Sequence, residues 1–255
     1  MKKVRKYAKG LVIFLFVIAV CAVIGFKFYA SHYYREDSAT IAFIDSKLES
    51  QVNSYSDKNG MVFIPENQEF KAVIVFYPGG KVEYSDYKGL LYEFASRGYV
   101  CLLPKMPNNL AFFRINAVDV ITANYKSEVE AVKDLDWYLA GHSLGGVAAS
   151  LYLEEHVDDY AGLILCASYP NADFSDSDIR MLSIRGSNDN VLSIEGYDKA
   201  KSNWPSDSEE YVIEGGIHSY FGSYGIQDGD GVPEISNEEQ LKQTADIVEK
   251  WIESK

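Results

Sequence analysis

The sequence predicts one α/β domain, a mostly parallel sheet with helices on both faces, preceded by a single apolar N-terminal helix. Three observations carry this. Short continuous apolar runs, such as Ala72–Tyr77 (AVIVFY), alternate with segments of helical spacing, and strands buried on both faces read as such runs. The 255 residues are 47% hydrophobic and 24% charged, which suits one well-buried core and excludes a disordered chain. Leu11–Phe26 is sixteen residues without a charge.

That uncharged run is extended by Phe28, Tyr29 and Ala30 to roughly 20 residues, the length that spans hydrocarbon. A signal-peptide cut after Ala30 would put Phe28 at −3, and a lipoprotein cut before Cys21 would put Val20 at −1. Both positions want small residues, so a retained anchor is expected. Lys2, Lys3, Arg5, Lys6 and Lys9 precede the span, which leaves the N-terminus cytoplasmic and the domain extracytoplasmic, on a single-pass cell-membrane protein. The expected organisation is a basic tail over 1–10, an anchor over 11–30, a juxtamembrane segment over 31–58 and the folded domain over 59–255. The amphipathic patch at Ile41, Phe43, Ile44 and Leu48 predicts a juxtamembrane helix. The net charge is −13, and −18 once the first ten residues are set aside. Such a domain repels phosphate backbones, so nucleic acid is excluded as a partner.

Within the domain, strands are expected at Gly60–Ile64, Ala72–Tyr77, Tyr99–Leu103, Trp137–Ala140, Leu163–Ala167, Met181–Arg185 and Glu210–Ile213. Helical spacing falls on Asp86–Arg97 (stopped by Gly98), Asn116–Tyr125, Ser127–Leu135, Leu144–Glu155, Ile194–Lys201 and Glu238–Ile252. The alternation implies parallel strands joined through helices, with the functional loops at the strands' carboxyl ends. Cys101 and Cys166 lie in apolar strand-like runs and are expected as buried free thiols.

After the strand at Trp137 comes Ala140-Gly141-His142-Ser143-Leu144-Gly145-Gly146. This contains Gly-x-Ser-x-Gly between an apolar strand and a helix, the context a nucleophile elbow requires. Gly141 and Gly145 remove side chains from a tight turn, and Ser143 sits at a helix N-terminus that favours a developing oxyanion. The competing reading is an ordinary N-cap serine.

A serine hydroxyl needs a base. Of the four histidines, His32 adjoins the membrane span, His142 lies inside the elbow and His156 ends the following helix. His218 remains, in Gly215-Gly216-Ile217-His218-Ser219, directly after the last expected strand. An acid must orient that histidine. Asp189, in Gly186-Ser187-Asn188-Asp189, follows the strand at Met181 and gives the order Ser, Asp, His; its rivals are Asp173, Asp176 and Asp178 after the preceding strand.

The order, the elbow GHSLGG, the strand-end GSND and the late GGIHSYFGSYG together resemble the α/β-hydrolase superfamily over roughly residues 60–253. YPGG after Ala72–Tyr77 and no long lid insertion make the chain look like its small dienelactone-hydrolase and carboxylesterase-like branch, with serine as nucleophile. The resemblance implies an oxyanion hole built from the Leu144 amide and a second amide of the PGGK loop, from Gly80 or Lys81. Asp228 and Asp230 flank Gly229 without a calcium-loop pattern and are read as a turn. Tyr220, Phe221 and Tyr224 are expected to wall the acyl pocket or pack beneath that loop.

The function these readings point to is a membrane-anchored serine hydrolase, carboxylesterase-like. Ser143, His218 and Asp189 would cleave an ester or related acyl bond through an acyl-enzyme. No P-loop, Rossmann fingerprint or metal motif is present, so no cofactor or metal is expected. The partners expected are a small-molecule or acyl-ester substrate and the membrane. The alternatives are a non-catalytic binding module on the same fold and an acyltransferase using the same three residues.

Overall fold

The computed structural model describes residues 2–35, 37, 46–48 and 50–254. The chain divides into two compact units between Tyr33 and Tyr34. The first is helix α1, Lys2–Ser31. Its stretch Lys9–Ser31 is 23 residues long and apolar enough to cross a membrane, about 35 Å at 1.5 Å per residue. The helix expected around Ile41, Phe43 and Ile44 lies outside the described residues, apart from a short helical piece at 46–48.

The second unit is built on an eight-stranded sheet. Its strands are β1 Val52–Ser56, β2 Gly60–Pro65, β3 Ala72–Tyr77, β4 Tyr99–Pro104, β5 Trp137–His142, β6 Gly162–Cys166, β7 Arg180–Gly186 and β8 Ser208–Ile213. They run in the order β1-β2-β4-β3-β5-β6-β7-β8. The β1–β2 and β2–β4 pairs are antiparallel and the other five are parallel. The chain order reverses between β3 and β5, so loops leaving their carboxyl ends diverge and open a crevice there.

Alternation along β3 explains its unbroken apolar run. Ala72, Ile74 and Phe76 join a core with Leu90, Leu91, Phe94, Val248 and Trp251, from helices α2 (Lys88–Ala95) and α7 (Asn237–Glu253). Val73, Val75 and Tyr77 join a second core with Val118, Ile121, Ala148 and Ala149, from helices α3 (Ala117–Asn124) and α5 (Leu144–Leu153). Each face of the strand is therefore covered, and the run carries no polar side. Two shorter helices are α4 (Lys126–Ala131) and α6 (Ile194–Ala200).

The structure departs from the sequence reading at several boundaries. The segment read as juxtamembrane contains β1, an edge strand paired with β2 from Val52↔Pro65 to Ser56↔Met61. Only Val52 of its five residues is buried, so the polar sequence VNSYS carried no strand periodicity to detect. The expected helix over Asp86–Arg97 shortens to α2 behind a 3-10 turn at Tyr84–Tyr87. The one expected over Ser127–Leu135 ends at Ala131, and the indole of Trp137 donates to the carbonyl of Val132 just beyond it. Cys101 and Cys166 are buried free thiols. They lie on β4 and β6 with two strands between them, roughly 14 Å at the usual strand spacing and too far to bridge.

Candidate active site

Strand β5 runs two residues further than the expected Trp137–Ala140 and delivers His142 and then Ser143 to the crevice. Ser143 has φ 51° and ψ −125°, a region costing of order 1–3 kcal/mol for a residue with a side chain. The turn is clamped: the Ser143 amide donates to Cys166 O at 3.0 Å and the Ser168 hydroxyl donates to Ser143 O at 2.7 Å. A Cβ on Gly145 would lie 2.2 Å from Tyr77 O, and one on Gly141 would lie 2.6 Å from the Gly146 amide. Both positions therefore require glycine, because backbone occupies the side-chain space. Ser143 stands at the N-cap of α5, yet its hydroxyl makes no capping bond. That disposes of the ordinary N-cap reading and leaves the hydroxyl available.

His218 follows β8 on a loop held from three sides. Gln240 of α7 brackets Ile217, accepting from its amide at 2.9 Å and donating to its carbonyl at 2.8 Å. The Asp230 carboxylate accepts from the amides of His218, Ser219 and Gly231 and from the Ser219 hydroxyl. Asp230 is thus a clamp on the histidine loop. Asp228 sits beside it, its amide donating to the Tyr34 hydroxyl at 3.1 Å. Among the described residues no group of three or more His, Cys, Asp or Glu could hold a metal ion.

Asp189 follows β7. Its Oδ1 accepts from the amides of Val191 and Leu192 at 2.9 and 2.8 Å, and its Oδ2 lies 2.9 Å from His218 Nδ1. The rival carboxylates go elsewhere. Asp173 accepts from the amide and hydroxyl of Ser175, and Asp176 and Asp178 line a separate surface cavity with Arg180. A carboxylate only accepts, so the Nδ1 of His218 is the donor in this contact, and in the neutral imidazole Nε2 is then the acceptor that faces away from Asp189.

Ser143 and His218 line the same pocket of about 190 Å³, whose apolar wall is Leu144, Val147, Ala167, Val191 and Leu192. Tyr169 lines this pocket, whereas Tyr220, Phe221 and Tyr224 do not; of the two places expected for them, the structure shows packing beneath the loop for Phe221 and Tyr224. Phe221 is fully buried against His142, with ring centroids 5.8 Å apart, and Tyr224 packs on Tyr34 at 5.6 Å. Both support the loop from beneath.

The PGGK loop reaches the elbow from β3. A Cβ on Gly80 would lie 2.6 Å from Leu144 Cδ1, so this loop abuts the first residue of α5. Its amides are not equivalent. Gly79 donates to the Tyr87 hydroxyl at 2.9 Å, and Lys81 donates to Asn109 O at 2.8 Å. The Lys81 amide, one of the two candidates for the oxyanion hole, is therefore already engaged. The Gly80 amide has no partner among the described residues, and the Leu144 amide is in the first turn of its helix, where N–H groups lack an intrahelical acceptor.

The profile of the alpha/beta hydrolase family matches residues 73–242, from the start of β3 into α7. The chain belongs to the alpha/beta hydrolase family. No curated protein sequence matches it. The matched span holds the strand-turn-helix at Ser143, the strand end at Asp189 and the loop at His218.

Three polar side chains around this site were given no role in it by the sequence. His142, Asp230 and Gln240 act through contacts with residues 11 to 76 positions away. His142 sits in the elbow and is almost fully buried, its Nδ1 2.8 Å from the Tyr87 hydroxyl and its Nε2 3.1 Å from His218 O. The two histidine rings are 4.6 Å apart. Burial, and then the neighbouring His218, hold the His142 pKa well below the ordinary 6.5. The one available signal was a histidine at the last, buried position of an otherwise apolar strand.

Proposed function

We propose that this hydrolase-family chain is a carboxylesterase-like serine hydrolase acting on small acyl esters. The observation that supports it most is the 2.9 Å contact of His218 with Asp189 at a pocket that Ser143 also lines. With Nδ1 protonated toward Asp189, His218 Nε2 takes the Ser143 proton as Oγ attacks the ester carbonyl. The carbonyl π pair moves onto oxygen, which the amides of Leu144 and Gly80 receive. Collapse expels the alkoxide, protonated by the imidazolium, and leaves an acyl-Ser143. Water then attacks through the same base, releases the carboxylic acid and returns the proton to Ser143.

Pocket size supports the substrate class. About 190 Å³ is below the 300–1,000 Å³ of drug-sized sites. It suits an acyl group of a few carbons.

Helix α1 is read as a retained anchor, with its basic residues inside and the domain outside. Protease added to intact cells should then release the domain, and a mature N-terminus near residue 31 would overturn the anchor.

The chemistry is tested with a fluorophosphonate. Wild type should take one covalent adduct on Ser143, and Ser143→Ala should lose both the adduct and ester turnover while keeping the fold. No adduct and no turnover across a panel of short esters would leave a binding module on a hydrolase fold.

A further inference from the structure

Behind Ser143 runs a line of hydrogen bonds whose directions are all forced. The carbonyl oxygen of His218 only accepts, so His142 bears its proton on Nε2 and donates it across 3.1 Å. Its Nδ1 is then a bare acceptor, and the Tyr87 hydroxyl donates to it across 2.8 Å. The oxygen of that hydroxyl accepts the Gly79 amide at 2.9 Å. Tyr87, His142 and His218 are each at most 2% exposed, so water does not compete for these bonds. Burial keeps Tyr87 protonated and His142 neutral, the states this line needs.

The two ends of the line are functional loops. One end is the amide of Gly79, next to Gly80, whose own amide has no partner among the described residues and lies beside Leu144. The other is the main chain of His218, whose imidazole faces Asp189 and the Ser143 pocket. The packing leaves no slack: a Cβ on Gly79 would lie 2.6 Å from the Tyr87 hydroxyl and 2.7 Å from His142 Nδ1.

We propose that Tyr87 and His142 are positioning residues that hold the Gly79–Gly80 loop and the His218 loop in register, so that the oxyanion donor and the base are set by one buried line. This rests on the reading of Ser143 as nucleophile. Neither residue touches the reacting atoms. Aligned hydrogen bonds in a low-dielectric core reinforce one another, and catalytic geometry must hold to within about 0.5 Å. An apolar pair would fill the same space without fixing either loop.

The test uses the full-length protein. Tyr87→Phe keeps the ring and removes one oxygen, so it should fold. Its kcat on a short ester should fall about tenfold, with KM within about twofold. Hydrogen–deuterium exchange should rise together in the segments around 79–82 and 216–222. His142→Gln keeps a donor for His218 O but offers Tyr87 no acceptor in line. Adding Tyr87→Phe to it should therefore cost much less than in wild type. A Tyr87→Phe protein with wild-type kcat overturns the proposal, as does increased exchange in only one loop. So does a lowered Tm with kcat per folded molecule unchanged, which marks a merely structural contact. A wild-type chain that takes no phosphonate and cleaves no ester overturns the hydrolase reading instead, and the exchange measurement alone then decides whether the two loops are coupled.

Discussion

Asp189 Oδ2 and His218 Nδ1 lie 2.9 Å apart with both side chains almost wholly buried, although the two residues come from different strand ends. The second carboxylate oxygen is fixed by two amides, so the acid has no freedom to turn away. Asp189→Asn should keep this packing but can donate toward Nδ1 and stabilise the wrong tautomer. We expect kcat to fall by roughly 10³ or more. Asp173→Asn and Asp176→Asn should stay near wild type in the same assay. The opposite ranking would move the acid to the loop after β6.

Acyl-chain length should matter steeply. In a series of p-nitrophenyl esters, acetate to butyrate should be preferred, and octanoate should fall at least about tenfold in kcat/KM as methylenes overfill the pocket. Leu192→Ala should shift the optimum to longer chains, since Leu192 lines the pocket wall. Its backbone amide, the part that binds Asp189, is untouched. A flat profile in both proteins would place the acyl group outside this pocket.

Tyr34 ties the chain just beyond α1 to the PGGK loop and to the loop that follows His218. Its amide donates to Lys81 O at 2.8 Å, its carbonyl accepts from Glu83 at 3.0 Å, and its hydroxyl accepts from Asp228 at 3.1 Å. Removing residues 1–58 also deletes β1 and exposes the edge of β2. A chain starting at residue 32 should therefore retain ester turnover, and one starting at 59 should lose most of it. Tyr34→Ala in the full-length protein should lower kcat several-fold. Equal activity of the two truncations would limit the working unit to residues 59–255.

Acid should unfold the domain partly through His142. Its folded pKa lies below the unfolded value of 6.5, so below that pH the unfolded chain binds a proton that the folded one does not. Stability is then full above pH 6.5 and falls as pH drops toward the folded pKa. The slope attributable to this residue is at most about 1.4 kcal/mol per pH unit. Denaturant unfolding between pH 6.5 and 4.5 should show a shallower acid slope in His142→Gln than in wild type, whatever the variant's stability at neutral pH. Identical slopes would mean His142 titrates normally in the folded state.

Much of this molecule is legible in one dimension. AVIVFY must be a strand covered on both faces, because no alternation leaves a side for water. GHSLGG, placed between strand and helix, needs glycine where the structure shows backbone in the side-chain space at 141 and 145. The sequential order of Ser143, Asp189 and His218 could be read because each follows an expected strand, and strands in one parallel sheet deliver their following loops to one edge. Strand β1 could not be read, because an edge strand with one buried residue has no hydrophobic period.

The sequence by itself determined the apolar N-terminal span and the α/β layering, which follow from local composition and periodicity, and it singled out Ser143 and His218 through the elbow motif and the short list of histidines. Only the tertiary structure decided among chemically equivalent groups. Asp189 faces His218 while Asp173 folds back on Ser175. The Gly80 amide has no partner among the described residues, while Lys81 and Gly79 spend theirs on Asn109 and Tyr87. His142, outwardly a spare histidine, is built into the support of the His218 loop. The physical reason is that a hydrogen bond depends on distance and direction within a few tenths of an ångström. The packing of elements far apart in sequence sets that geometry, and no local pattern of residues records it.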